Sequence, residues 1–163
     1  MPAPMPGDAP SAREQYDAMY MRRCLELARR ALATGDVPVG SIVVRDGRVI
    51  GEGVESTREH LDPTAHAEIE ALRAACRTLG TLDLSTATLY STVEPCVICA
   101  YAVRYAQIRR VVFGTNARTL GGATGPCPLL TSAMPIGGSA PPAITTGILS
   151  EDCEHLLAER RAP

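Results

Sequence analysis

The sequence predicts an α/β fold, a three-layer α/β/α domain, from three observations. Short β-branched runs alternate with amphipathic stretches of helical period, two of those runs flank the hairpin dipeptide Asp46-Gly47, and 163 residues suit one hydrophobic core. From Ser11 to about Ala33, Tyr16, Met19, Tyr20, Leu25, Leu27, Ala28, Ala31 and Leu32 recur at helical spacing among charges. Ser11 with Glu14 three residues on fits a capping box, and Gly35 ends the helix. "VGSIVVRDGRVIGEGV" follows as the hairpin. Asp62-Pro63-Thr64 opens a second helix through "AHAEIEALRAAC", capped by Thr64 or Asp62 and stopped by Gly80. "TATLYSTV" reads as a buried strand, "CVICAYAVRYAQ" as a helix and "IRRVVFG" as another strand. The stretch from Thr115 to Ala143 is rich in Gly, Pro and Ser and has no period. "ITTGIL" is a short strand, and "SEDCEHLLAERR" a final helix starting near Ser150. Residues 1–10, "MPAPMPGDAP", read as a disordered proline-rich tail and 11–163 as a single domain without repeats.

A net charge of −2 gives no general attraction for a polyanion. The expectation is therefore small-molecule chemistry with no nucleic-acid partner. No apolar run approaches the roughly 20 residues of a membrane span. The tail lacks the apolar stretch of a secretory signal, so six cysteines point to a reducing compartment, the cytoplasm, with thiols used for metal or core packing.

Chemistry enters at "EPCVICA". Cys96 and Cys99 at i and i+3 share one helical face and can reach one metal ion, with Pro95 in the first turn. A helix N-terminus favours thiolates, and soft sulfur donors select zinc. Of the three histidines, His60 lies in a polar loop and His155 on an amphipathic terminal helix, both expected in solvent. His66 starts a helix with Glu68 two residues later, while Glu70 is expected to face solvent. The pattern H-x-E … P-C-x-x-C is the signature of zinc nucleobase deaminases. His66, Cys96 and Cys99 then hold Zn2+ and leave its fourth position to water, and Glu68 is the catalytic proton carrier. A backbone N–H at the start of the Cys96 helix is a candidate for supporting developing charge. The competing reading is a closed structural site with a fourth cysteine. Cys76 and Cys153 read as core residues, which leaves Cys127, and that reading gives Glu68 no role.

On these residues the chain resembles the cytidine deaminase superfamily, in its branch of tRNA adenosine deaminases, guanine deaminases and fungal-type cytosine deaminases. "DVPVGSIVVRDGRVIGEG", "DPTAHAEIEALR", "ATLYSTVEPCVICA", "RRVVFG" and "ITTGILSEDCEHLL" carry the likeness, from about Tyr16 to Leu157. The resemblance implies a cytidine-deaminase-like five-stranded mixed sheet with helices on both faces, zinc at two helix N-termini, and a homodimer. It also brings Val39 and Ala67 to the substrate beside Glu55.

Four departures from the family bear on the substrate. Glu55 stands eleven residues before the zinc histidine, where family members commonly have Asn; an ionised carboxylate only accepts hydrogen bonds. Glu55 is expected to select ligands with extra N–H or hydroxyl donors, against the plainer reading of a solvated loop glutamate. Tyr101 replaces a small residue and is expected to fill the dimer seam in preference to narrowing the pocket. The C-terminus "LLAERRAP" offers only Arg160 and Arg161 where the tRNA editors carry basic and aromatic residues, and Arg22/Arg29 and Arg23/Arg30 read as solvated surface. The loop from Thr115 to Ala143 is expected to cover the pocket and shut out polynucleotides. Together these features predict a zinc-dependent hydrolase releasing ammonia from a small nucleobase or nucleoside, guanine-like, cytosine-like or an amino-triazine. The alternative is a tRNA-specific adenosine deaminase, and a third reading is a non-catalytic zinc-stabilised interaction protein.

Overall fold

A computed structural model of the chain describes residues 10–160, so the expected tail, apart from Pro10, and Arg161 lie outside the described residues. Helix α1 spans Ala12–Ala33. The expected capping box closes it: Ser11 Oγ accepts from the Glu14 N–H at 3.3 Å, and the Glu14 carboxylate accepts from the Ser11 N–H at 2.7 Å. Strands β1 (Gly40–Arg45) and β2 (Arg48–Val54) form the hairpin. Asp46 and Gly47 both adopt positive φ, 51° and 72°, as a two-residue turn matched to strand twist requires. Then come α2 (Ala67–Leu79), β3 (Thr88–Val93), α3 (Val97–Tyr105), β4 (Arg110–Thr115), β5 (Ala143–Thr146) and α4 (Ser150–Glu159).

The five strands run in the order β2-β1-β3-β4-β5, with β1 antiparallel to both neighbours and β3, β4 and β5 parallel. The three-layer fold with a five-stranded mixed sheet is therefore as expected. Alternation along the strands sends side chains to two cores. Val43, Leu89, Val111 and Phe113 pack under α2 and α3 with Ala71, Leu72 and Val103, while Ile42, Val44, Tyr90 and Val112 pack under α1 and α4 with Met21, Leu27 and Leu156. Gly53 lets α2 sit directly on β2, since a Cβ there would collide with the backbone of Ala67 and Ala71. That close approach fixes where α2 begins.

Two helix starts differ from expectation. Asp62 and Thr64 do not cap α2; Asp62 accepts from the Thr64 N–H at 2.8 Å in a turn ahead of it, and His66 itself is the N-cap residue. Pro95 lies before the N-cap residue Cys96 and not in the first turn of α3. The final helix, α4, begins at Ser150 as expected, with Leu149 at φ 51° as its N-cap residue.

Residues 116–142 make the crossover from β4 to β5 without a regular element. Their organiser is Arg104 near the end of α3, 1% exposed, whose guanidinium donates to the carbonyls of Leu129, Ser132, Met134 and Ser139 at 2.7–3.2 Å. Leu130 inserts into the core beside it.

A buried ion pair ties α1 to the sheet. Arg110 on β4 donates to both oxygens of Asp17 at 2.8 and 2.7 Å, Tyr90 on β3 donates to Asp17 at 2.8 Å, and Arg110 also reaches Thr145 on β5. Burial pushes the Asp17 carboxyl up, but the hydrogen bonds from Arg110 and Tyr90 win and hold it below its ordinary value. Truncating Asp17 leaves a buried guanidinium uncompensated, so Asp17→Ala is expected to destabilise the fold by about 3–5 kcal/mol. A carboxyl lowered on folding stabilises above its unfolded value of about 3.9, and that contribution fades as pH falls through the folded value. Urea midpoints of the two proteins should thus differ at neutral pH and converge in strong acid; equal midpoints at pH 7 would contradict the assignment.

Candidate active site

Two helix N-termini meet at one point. Packing on β2 brings the start of α2 beside the corner where β3 leaves the sheet and α3 begins, which places His66 against Cys96. His66 Nδ1 lies 3.6 Å from Cys96 Sγ, Cys96 Sγ lies 3.7 Å from Cys99 Sγ, and the three ligand atoms all fall within 4.8 Å of one another. A tetrahedral zinc with bonds of about 2.3 Å to sulfur and 2.0–2.1 Å to nitrogen sets its donors about 3.5–3.8 Å apart. The cluster fits zinc in both spacing and donor type. Among the described residues it is the one such group of His, Cys, Asp and Glu. Cys127 is exposed and outside it, Cys76 packs against the α2/α3 core, and Cys24 and Cys153 are buried in the α1/α4 core, so no fourth cysteine closes the site. His60 and His155 are exposed, as expected.

The ligands share protons unequally. Cys96 is brought down to about 4, first by the hydrogen bond from Cys99 and, against burial, by the one with His66. His66 is raised to about 9, chiefly by Cys96. Cys99 is pushed up because it donates to Cys96 and is buried.

Glu68 sits in the first turn of α2, 4% exposed. Its Oε1 accepts from Ser91 Oγ at 3.0 Å and its Oε2 faces Cys99 Sγ at 3.5 Å. Burial pushes its carboxyl up to about 7, near the value that suits a group taking and giving a proton at neutral pH. A cavity of about 190 Å³ opens on this cluster, walled by Val39 and Val93.

Glu55 lies in that cavity and is buried; it is not a solvated loop residue. Its Oε2 accepts from the Ala67 N–H at 3.2 Å and its Oε1 from Thr57 Oγ1 at 3.1 Å, while its own N–H donates to the Val39 carbonyl. Burial raises this carboxyl, with the His66 charge opposing. Glu55 and Val39 both line the cavity, and Ala67, buried behind its lining, reaches it only through the N–H held by Glu55.

Sequence reasoning missed Glu94. It is 2% exposed and accepts from the N–H groups of Ala117, Ala123 and Thr124 at 2.7–2.9 Å and from the Thr124 hydroxyl. The signal was an acid directly before Pro95-Cys96, at a strand-to-helix corner facing a Gly-rich segment. This clamp and Arg104 hold the crossover beside the pocket. Only Ala117 of that crossover lines the cavity, so the expected cover is absent from the 190 Å³ cavity. Tyr101 does not narrow the pocket either. It projects from the outer side of α3 with its ring 6.3 Å from that of Tyr105. The Val97 N–H, first of α3, is taken by the Leu120 carbonyl and is not free to support charge.

The family model for the cytidine and deoxycytidylate deaminase zinc-binding region matches residues 14–115. A tRNA-specific adenosine deaminase from Haemophilus influenzae is 39% identical over 152 residues, 93% of this chain and 86% of that protein. A structure solved in studies of A-to-I editing by tRNA:A34 deaminases at the wobble position superposes with a TM-score of 0.79 at 35% identity, covering 85% of this chain and 98% of that one. The guanine deaminase from Bacillus subtilis, also 35% identical, reaches a TM-score of 0.57 over 60% of this chain and 63% of its own. Several relatives at 34–47% identity are tRNA-specific adenosine deaminases. That finding overturns two expectations, a free nucleobase or nucleoside as substrate and the absence of a nucleic-acid partner. The physical reasons are that net charge averages over a surface and hides local patches, and that the long crossover is held beside the pocket by Glu94 and Arg104 without covering it.

Each ligand must shed its proton to bind metal, and Cys99 and His66 are both raised. Zinc affinity should therefore fall as pH drops, and calorimetry in buffers of different ionisation enthalpy should register proton release at pH 7. His66→Ala, Cys96→Ser and Cys99→Ser should purify with far less zinc than the parent, whereas Glu68→Ala keeps its metal. Stoichiometric zinc in all three ligand variants would refute the site.

Proposed function

We propose that this chain, which belongs to the cytidine and deoxycytidylate deaminase family and is a zinc-dependent hydrolase of C–N bonds, converts adenosine to inosine in transfer RNA. The observation that carries the reading is the likeness to tRNA adenosine deaminases over nearly the whole chain.

His66, Cys96 and Cys99 hold the metal; bound zinc supplies Lewis-acid chemistry that makes water nucleophilic near neutral pH. Glu68 takes one proton from the attacking water and passes it to the ring nitrogen beside the reacting carbon; it then takes the second proton from the hydroxyl now on that carbon and gives it to the amino group, so that the carbonyl forms, the C–N bond breaks and ammonia leaves. Ser91 fixes one Glu68 oxygen, leaving the other to move the proton. The Ala67 N–H donates to an acceptor nitrogen of the base. Adenine's ring nitrogens only accept, so the Glu55 carboxylate released from Ala67 takes a ribose hydroxyl as its donor. Val39 packs on the ring.

An anticodon stem-loop with adenosine at the wobble position should yield inosine, measured by nucleoside analysis after digestion. Glu68→Gln should slow this by about 10²–10⁴-fold. Glu55→Gln should lower kcat/KM by about 10–100-fold, the loss of a hydrogen bond to a charged group, with little change in thermal stability. Turnover of free guanine or cytosine in preference to the RNA would contradict the reading.

The free enzyme is proposed to be a cytoplasmic homodimer. An apolar groove of about 430 Å³ between α2 and α3 carries Leu72, Leu82, Tyr101 and Tyr105, three of them more than half exposed. A second copy seated there buries the two stacked rings. Sedimentation should give a dimer for the parent and a monomer for Tyr101→Glu; a monomeric parent would count against it. Among the described residues no helix is long and apolar enough to cross a membrane.

A further inference from the structure

The catalytic cavity does not end at the protein surface. Val37, Val39, Val93 and Ala117 line it and also line a second cavity of about 550 Å³, so the two form one passage with a narrow inner end and a wide outer end. The inner 190 Å³ falls below the roughly 300–1,000 Å³ typical of sites that enclose a whole small ligand. A base fits the inner end, and the rest of its nucleotide and its neighbours must lie in the outer part.

Charge divides along the same line. The inner end carries Glu55, Glu68 and Glu94, whereas the outer part carries Arg58, Arg118 and Arg160 and no acid. These arginines come from three places in the sequence: the segment after β2, the segment after β4 and the end of α4. Elsewhere Arg23 pairs with Glu26 and Glu52, Arg45 with Asp46, Arg73 with Glu70 and Arg110 with Asp17, and Arg104 binds carbonyls; Arg13, Arg22, Arg29, Arg30, Arg48, Arg77 and Arg109 form no ion pair among the described residues but line neither cavity. Among the described residues Arg58, Arg118 and Arg160 form no ion pair, and all three are exposed. Apolar Leu157, Val37 and Val39 floor the groove between them.

We infer that this outer groove is a single-stranded RNA site in which Arg58, Arg118 and Arg160 hold the phosphodiesters flanking the target nucleotide while its base enters the acidic inner end. The inference rests on the RNA reading above. An uncharged base tolerates the inner carboxylates, and a phosphate does not. The guanidinium fork matches phosphate oxygens in pairs, and the apolar floor suits a neighbouring base. The backbone grip is thereby built from two loops and one helix end.

Three phosphate contacts on a single strand predict a slope of about −2 for log K against log salt. The test measures stem-loop binding and inosine formation from 50 to 300 mM salt for the parent, for R58A, R118A, R160A and their triple combination, and for R48A at the hairpin tip as control. Each single variant should flatten the slope by about 0.7 and raise KM with kcat unchanged at saturating RNA; the triple variant should lose the slope, and R48A should match the parent. A triple variant that stays folded by circular dichroism and keeps the parental slope overturns the groove assignment, even while inosine formation upholds the editing reading. A parent that binds the stem-loop with a three-charge slope yet makes no inosine upholds the groove and refutes the reading. Adenosine 5′-monophosphate competing as strongly as the stem-loop, and losing that competition in the triple variant, would reassign the arginines to a free nucleotide.

Discussion

The structure depends on one constraint: the N-terminal ends of α2 and α3 must meet to within a few tenths of an ångström. Zinc accepts a narrow range of donor separations, and His66, Cys96 and Cys99 satisfy it at 3.6 and 3.7 Å. No loop holds such a tolerance without support. The rigidity comes from β2 and β3, the Gly53 gap that lets α2 lie flat on the sheet, and the Asp17–Arg110 pair that pins α1 on the opposite face. His66 and Cys96 are the N-cap residues themselves, so the helix ends deliver the ligands directly and the partial positive charge there favours thiolate and carboxylate.

Around the metal ligands the site sorts charge by depth. Carboxylates gather innermost, each held differently: Glu68 by burial and Ser91, Glu55 by the Ala67 N–H, Glu94 by a ring of loop N–H groups. Guanidiniums stand outermost. On the proposed RNA reading, this arrangement admits a neutral ring to the chemistry and keeps a polyanionic backbone at the rim, a division that a net charge of −2 conceals.

Local patterns carried much of this into the sequence. The capping box at Ser11, the Asp46-Gly47 turn, the strand alternation and the H-x-E … P-C-x-x-C spacing each act within a few residues, so they were readable. Glu94, Arg104 and the Asp17–Arg110–Tyr90 cluster were not. Their partners lie between 23 and 93 residues away, and no short-range pattern marks a buried charge whose mate is distant. Glu55 was recognised by its place relative to His66, but whether it was buried or solvated required the fold. The long crossover misled for the same reason: its composition suggested a cover, whereas four carbonyls converging on Arg104 decide where it goes.

The central claim is a metal held by three side chains and no more, beside a carboxyl that moves protons. X-ray absorption at the zinc edge of the loaded, active protein tests it most directly. The account predicts two sulfur scatterers at about 2.3 Å and two lighter nitrogen or oxygen scatterers, with the same sulfur count in Glu68→Ala. A third sulfur in the first shell, or full activity in protein stripped of metal, would contradict it.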